Sequence, residues 1–186
     1  LDGDTGFTSV TTWIHSLFEK FDADKIIDNM MKSSRWPQNK YYGKTREEIK
    51  SLWDKTRDEA ADAGTKMHYD IECYYNKNPT SNNDSIEYAY FKEFNELTAT
   101  NLIPYRTEWM IYHEDLLLAG SVDMVFENPD GTLMIYDWKR SKEIKKRDNF
   151  MKYSTTDCIS HIPDTNYWHY ALQLNTYKAI IEEKYG

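Results

Sequence analysis

Cysteine, glycine and proline are scarce in this chain, and long apolar runs are missing. Only Cys73 and Cys158 occur among 186 residues. Two thiols exclude a disulfide scaffold, a four-cysteine zinc site and a four-cysteine iron–sulfur cluster, and they fit a reducing compartment. Seven glycines and five prolines leave nothing that reads as low complexity. There is no charged n-region followed by an apolar h-region, and no apolar run of spanning length, so the expectation is a soluble, intracellular chain with no membrane partner. Positive charge is also short. A net charge of −8 and a pI near 5.1 give no support to steering of the whole molecule toward nucleic acid. The chain opens at Leu1 and stops inside a helical pattern at Gly186, which reads as a piece of something longer.

What is present suffices for one domain with a packed core: 40% of the residues are hydrophobic and 15% aromatic. Charge is unevenly spread. Between Lys139 and Lys152, seven basic residues stand against Glu143 and Asp148, a net +5 that leaves −13 on the rest of the chain. A solvated charge run is the ordinary explanation of such a block; a row of phosphate contacts is the other.

Helical periodicity dominates the first hundred residues. Thr8-Ser9 can cap a helix carrying Val10, Trp13, Ile14, Leu17, Phe18 and Phe21, and Asp24 to Ser34 forms a second amphipathic stretch ended at Trp36-Pro37. In the loop that follows, Arg35, Trp36, Lys40, Tyr41 and Tyr42 could stack on bases or form an ordinary aromatic surface. Thr45-Arg46-Glu47-Glu48 is a capping box that opens a helix running as far as Tyr75, with an interruption. Gly64 lies inside it, and close packing against a neighbour is the expected compensation for a mid-helix glycine. His68 follows four residues later, as a plain polar residue or a ligand. After a polar loop from Asn78 to Ser85, Ile86 to Leu102 reads as a helix with Tyr90, Phe91, Phe94 and Leu97 as its apolar stripe.

From Pro104 the period changes to two, and Thr107, Trp109 and Ile111 alternate with Glu108, Met110 and Tyr112. A hairpin comes next, Ala119–Phe126 and Thr132–Lys139 around Pro129-Asp130-Gly131. Asp123 sits in its first arm; Asp137 and Lys139, two apart, project to one face of the second, with Trp138 on the other. Two acids and a lysine converging there make a divalent-metal site with a cation beside it, or else a solvated hairpin. A further strand near Cys158-Ile159 is possible on this pattern. Asn166 to Lys184 is a strong helix on which Gln173 and Tyr177 share a face with Tyr170. The order predicts an α+β or α/β domain with helices packed on a small mixed sheet.

Four of these pieces together resemble the PD-(D/E)XK nucleases, and most closely the RecB-like branch that includes CRISPR-associated exonucleases and the mitochondrial genome maintenance exonuclease. Gly64-Thr65-Lys66-Met67-His68 is similar to the helical histidine motif, Gly120-Ser121-Val122-Asp123 to the Gly-x-x-Asp strand, Asp137-Trp138-Lys139 to the Asp/Glu-x-Lys strand, and Gln173 to Tyr177 to the Gln-x-x-x-Tyr helix. The likeness spans Gly64 to Tyr177. It implies a single restriction-endonuclease-like domain over residues 1–186, with extra helices in 1–63 and the catalytic core in 64–186. It also implies a nuclease, with an exonuclease the nearer expectation, acting on single-stranded or end-containing DNA in replication, recombination or repair, within a larger polypeptide or complex. Asp123, Asp137, the Trp138 carbonyl and His68 would hold Mg²⁺ or Mn²⁺. Lys139 would orient or deprotonate the attacking water. Glu108 would be an outer or second-metal acid, or a surface glutamate. Gln173 and Tyr177 would touch the nucleic-acid backbone or brace the site, and Tyr170, Arg140, Lys142 and Lys145 would add contacts to the strand. Two departures stand out: the chain cannot build the iron–sulfur cluster of several relatives, and Asp137 stands where many have glutamate. An RNA endonuclease of the cap-snatching type, or a binding domain without catalysis, are the alternatives.

Overall fold

The structure, a computed structural model, describes residues 6–80, 83–147 and 151–186, with Asn101 described in its backbone only. Ser81 and Asn82 of the expected loop and Asp148 of the basic block lie outside the described residues. Backbone contacts divide the chain into two compact units, Leu1–Glu19 with Lys66–Gly186, and Lys20–Thr65. The first stretch of helix thus groups with the sheet and not with the helices of residues 20–65.

In chain order the elements are β1 (Thr8–Ser9), α1 (Val10–Ser16), α2 (Ala23–Lys32), α3 (Arg46–Tyr75), α4 (Ile86–Leu97), β2 (Ile103–His113), β3 (Leu118–Glu127), β4 (Leu133–Tyr136) and α5 (Asn166–Lys184). Ser9 caps α1 by accepting from Thr12 N at 3.1 Å. The helix stops at Ser16, short of the expected Phe21, because Ser154 Oγ and Thr155 N donate to the Leu17 carbonyl at 2.7 and 3.0 Å. Those bonds take the acceptor that a further turn would need, and Phe21 is left exposed.

In the sheet, β3 is the centre. It pairs antiparallel with β2 along one edge, with Ile111 opposite Gly120 and Thr107 opposite Met124. β1 pairs with it in parallel at Leu118 and Ala119, and β4 pairs antiparallel at Met124–Glu127. The turn into β4 forms as its residues dictate: Gly131 takes φ +84°, and Asp130 Oδ1 accepts from Thr132 N at 3.0 Å. One core cluster joins Ile111, Val122 and Val125 of the sheet to Val10, Ile14, Phe18, Tyr177 and Ile180 of α1 and α5. Each fully buried aliphatic side chain there contributes about 1.5–3 kcal/mol. A second cluster gathers Met124 and Phe126 with Tyr75 of α3, Phe94 of α4, Tyr136 of β4 and Trp138 just beyond it.

Five expectations are corrected here. The buried stripe of α4 is Tyr88 and Phe91 with Phe94 beside them, while Tyr90 and Leu97 are 63% and 76% exposed. The helix ends at Leu97 and passes into a 3₁₀ turn, Ala99–Asn101. Asp157–Ile159, where a strand was expected, is also a 3₁₀ turn; Ile162 N bonds Ile159 O at 2.8 Å and folds the segment on itself. A Cβ built on Gly64 meets nothing within 4 Å, so no close neighbour explains that glycine, and α3 runs through it without a break.

In the unit of residues 20–65, α2 and the start of α3 are joined by Lys50 Nζ on Asp24 at 2.8 Å and by Arg46 on Asp24 and Asp28. The capping box forms in both directions, Thr45 N to Glu48 Oε2 at 2.7 Å and Glu48 N to Thr45 Oγ1 at 3.2 Å. Tyr41, of the aromatic loop, accepts from Trp53 Nε1 at 2.8 Å, and Trp36 packs edge-on to Tyr42 with centroids 5.9 Å apart. Trp36 and Tyr41 are half-buried, while Tyr42 stays 59% exposed.

Candidate metal centre

The site forms where β4 parts from β3. Their pairing runs from Glu127↔Leu133 to Met124↔Tyr136 and stops one residue short of Asp123 and Asp137. At that point Trp138 N turns away from the ladder and donates to Asp123 Oδ2 at 2.7 Å. The alternation holds through the break. Asp137 Oδ2 lies 2.6 Å from Lys139 Nζ, while the Trp138 indole goes to the opposite side among Phe91 and Phe94, at centroid distances of 5.7 and 5.4 Å.

His68 arrives from α3. Met67, Ile71 and Tyr75, spaced at helical intervals, seat this part of α3 on Tyr88, Phe91 and Trp138. His68, one position beyond Met67, then faces β3. Its Nδ1 is 3.5 Å from Asp123 Oδ2 and 3.8 Å from Glu108 Oε1. Glu108 reaches the cluster through an unusual backbone: its φ is +42° in the middle of β2. A side-chain-bearing residue in that region costs about 1–3 kcal/mol, and such strain concentrates at functional positions. Ser121 Oγ donates to Glu108 Oε2 at 2.8 Å and fixes the carboxylate.

One nitrogen of His68 and one oxygen each of Glu108 and Asp123 therefore lie within 4.8 Å of one another. This trio offers one borderline imidazole nitrogen and two hard carboxylate oxygens to a cation. Asp137 stands outside this trio with both oxygens engaged, Oδ2 by Lys139 and Oδ1 by Gln173 Nε2 at 3.0 Å. Trp138 meets the cluster through its N–H.

The electrostatics follow from this crowding. Burial, and then the charge of Asp137, push Asp123 up to about 6, against the pull of His68, the Trp138 N–H and Lys139. Glu108 goes the other way, held below its ordinary range chiefly by His68. His68 is raised, first by Glu108. Two neighbouring carboxylates with pKa values driven apart are a mark of sites that do chemistry.

Helix α5 closes the site from the other side. Gln173 Nε2 also donates to the Tyr177 hydroxyl at 3.2 Å, so the pair acts as one brace on Asp137. The Tyr177 ring lies on Gly120, where an added Cβ would come within 2.5 Å of Cε1. That close approach is why glycine occupies the first position of Gly120-Ser121-Val122-Asp123. Burial, with three carboxylates nearby, pushes the Tyr177 hydroxyl up to about 12. Tyr170 lies under Lys139, whose Nζ is 5.6 Å from the ring centroid.

Of the other strand-contact candidates, Lys142 is exposed and Lys145 Nζ pairs with Glu143 at 3.1 Å. Arg140 is held by Glu87 of α4, Nε to Oε1, at 2.6 Å. Sequence reasoning missed that latch. It also missed Asp70, fully buried two residues past His68, which accepts from Lys66 Nζ at 2.6 Å and from Asn83 Nδ2. The i,i+4 spacing of Lys66 and Asp70 was the available signal. No protein-family model, curated protein or solved structure matches the chain.

Proposed function

We propose that the protein is a divalent-metal-dependent nuclease hydrolysing phosphodiester bonds of DNA, in the manner of the RecB-like PD-(D/E)XK enzymes it resembles. One observation carries the reading: a histidine from a helix and acids from two strands converge within 4.8 Å, and the Asp137–Lys139 pair adjoins them. The Glu108 backbone at φ +42° adds to it, since strain of this kind concentrates at functional positions.

His68, Glu108 and Asp123 would hold the cation; the two carboxylates suit Mg²⁺ or Mn²⁺, and the imidazole favours Mn²⁺ of the two. When bound, the ion supplies Lewis acidity toward a phosphoryl oxygen and eases ionisation of water. Lys139 presents a fixed positive charge beside the acids, where it orients the attacking water and opposes the negative charge that builds on phosphorus oxygens. Asp137 keeps that amine in place at 2.6 Å, and Gln173 keeps Asp137 in place. Tyr177 on Gly120 sets the height of α5 over the sheet and so the position of Gln173. Water's oxygen joins phosphorus as the P–O bond to one sugar breaks; the water gives up one proton to solvent and the departing alkoxide takes one up from it.

The test uses labelled single-stranded DNA and RNA oligomers, with ends free or blocked, in Mn²⁺, Mg²⁺ or EDTA. Metal-dependent DNA cleavage that is lost in Lys139→Ala and Asp123→Ala is the expected result. Cleavage of RNA with DNA spared would transfer the reading to the cap-snatching class. An intact substrate under every metal would overturn it.

A further inference from the structure

Beyond Lys139 the chain does not leave the molecule but lies along the start of α5. Asn166, the first residue of that helix, holds it with three bonds. Its Oδ1 accepts from Lys145 N at 2.9 Å, and its Nδ2 donates to Glu143 O at 2.7 Å and Ser141 Oγ at 3.3 Å. Trp168 Nε1 adds a fourth, to Lys146 O at 3.2 Å. Residues 141–147 are nonetheless exposed side by side, and Lys142, Lys145, Lys146 and Arg147 stand against the single acid Glu143.

A repeated spacing registers this strap on the helix. Tyr177 lies on Gly120, Gln173 on Asp137, Tyr170 under Lys139, and Tyr167 under Lys146, whose Nζ is 4.6 Å from the ring centroid. Stepping back along α5 from Gln173 to Tyr167 covers six residues, or about 9 Å. Basic side chains and aromatic rings thus continue from the site toward the N-terminal end of α5, winding about a third of the way round the helix. The first turn of α5 carries no acid, so its dipole adds positive potential at that end. Outside residues 139–152 the net charge is −13, so the positive character of this strip is a local feature of the chain.

We infer that the 141–147 strap, with Tyr167 and Trp168 at the start of α5, is a track for one unpaired nucleic-acid strand entering or leaving the site. Lys142, Lys145, Lys146 and Arg147 take successive phosphates. Tyr167 and Trp168, which pack edge to face with centroids 5.2 Å apart, offer ring surface to a base. Single-stranded substrate is favoured because stacking needs bases that are not already paired. The inference rests on the proposed nuclease for calling the strand a substrate, but the track can be tested apart from cleavage.

Fluorescein-labelled oligo-dT is titrated with the full chain in EDTA across a range of KCl, with a blunt duplex and phosphatidylserine vesicles in parallel. Replacing the four basic residues by glutamine should weaken oligo-dT binding at least tenfold and reduce the salt slope by about 2–3, since each phosphate contact contributes about 0.7 on a single strand. Tyr167→Ala with Trp168→Ala should cost oligo-dT about fivefold or more and leave the duplex unaffected. Asn166→Ala, which keeps every charge but frees the strap, should fall between wild type and the glutamine variant. Unchanged affinity and slope in the glutamine variant, or attachment to vesicles with no strand binding, would overturn the track. Wild type that binds through the strap yet cuts nothing would remove the nuclease reading and keep the track. Wild type that cuts while the glutamine variant binds normally would do the reverse.

Discussion

Replacing Asp123 by asparagine is expected to stabilise the metal-free protein at pH 8 while removing it as a ligand. Asp123 is 9% exposed, and burial with the Asp137 charge raises it from 3.8 to about 6. A folded pKa above the unfolded one means that the native state binds the proton more tightly. Stability therefore falls as pH rises from about 4 to about 6, and the full penalty stands above that range. At 1.36 kcal/mol per unit, the ionised carboxylate costs up to about 3 kcal/mol. Asparagine keeps the shape and an oxygen for the Trp138 N–H now bonded at 2.7 Å, but its amide NH₂ needs an acceptor that the ionised carboxylate did not. A net gain of about 1–2 kcal/mol is expected, or about 2–8 °C in Tm for a chain of this size. Thermal melts in EDTA measure it: Asp123→Asn should melt higher than wild type at pH 8, by about half as much at pH 5, midway through that range, and by little below about pH 4, where the unfolded carboxyl is protonated too. Added Mn²⁺ should raise the Tm of wild type and not of the variant. Equal destabilisation of the variant at both pH values would refute the reasoning, because Asp123 would then be a structural partner and not a strained ligand.

Gly120→Ala puts a methyl carbon 2.5 Å from Tyr177 Cε1 and should cost about 1–3 kcal/mol in urea denaturation; a neutral result would mean that α5 does not rest on that glycine. Gly64→Ala, with open space around its Cβ, should gain about 1 kcal/mol and leave cleavage unchanged; a loss of stability would contradict the geometry. His68 is held above its ordinary 6.5 and must be neutral to ligate, so Mn²⁺ affinity by titration calorimetry should climb as pH rises from 6.5 to 8; a flat profile would exclude the imidazole from the ligand set.

The elements whose determinants are local were legible in the sequence. The capping box at Thr45–Glu48, the Pro-Asp-Gly turn and helix α5 form where their residues predict, since capping, turn chemistry and periodicity act within a few positions. What the sequence misplaced depends on distant neighbours. Leu17 loses its next helical turn to Ser154 and Thr155, more than 130 residues away. On α4 the choice between Tyr90 and Tyr88 as the buried tyrosine depends on where α3 lies. The i,i+2 rule put Asp137 with Lys139 and Trp138 opposite, as the structure has them. It could not rank Glu108 beside His68 and Asp123, because a positive φ in a strand leaves no mark in residue type. The rings of the 35–43 loop were legible as aromatic, but not that Trp53 takes the Tyr41 hydroxyl.

Anomalous diffraction at the manganese edge from crystals grown with Mn²⁺ tests the central claim most directly. The account predicts a single strong peak within bonding distance of His68, Glu108 and Asp123 in wild type, and none there in Asp123→Asn. A peak elsewhere, or none with the three side chains well ordered, would contradict it.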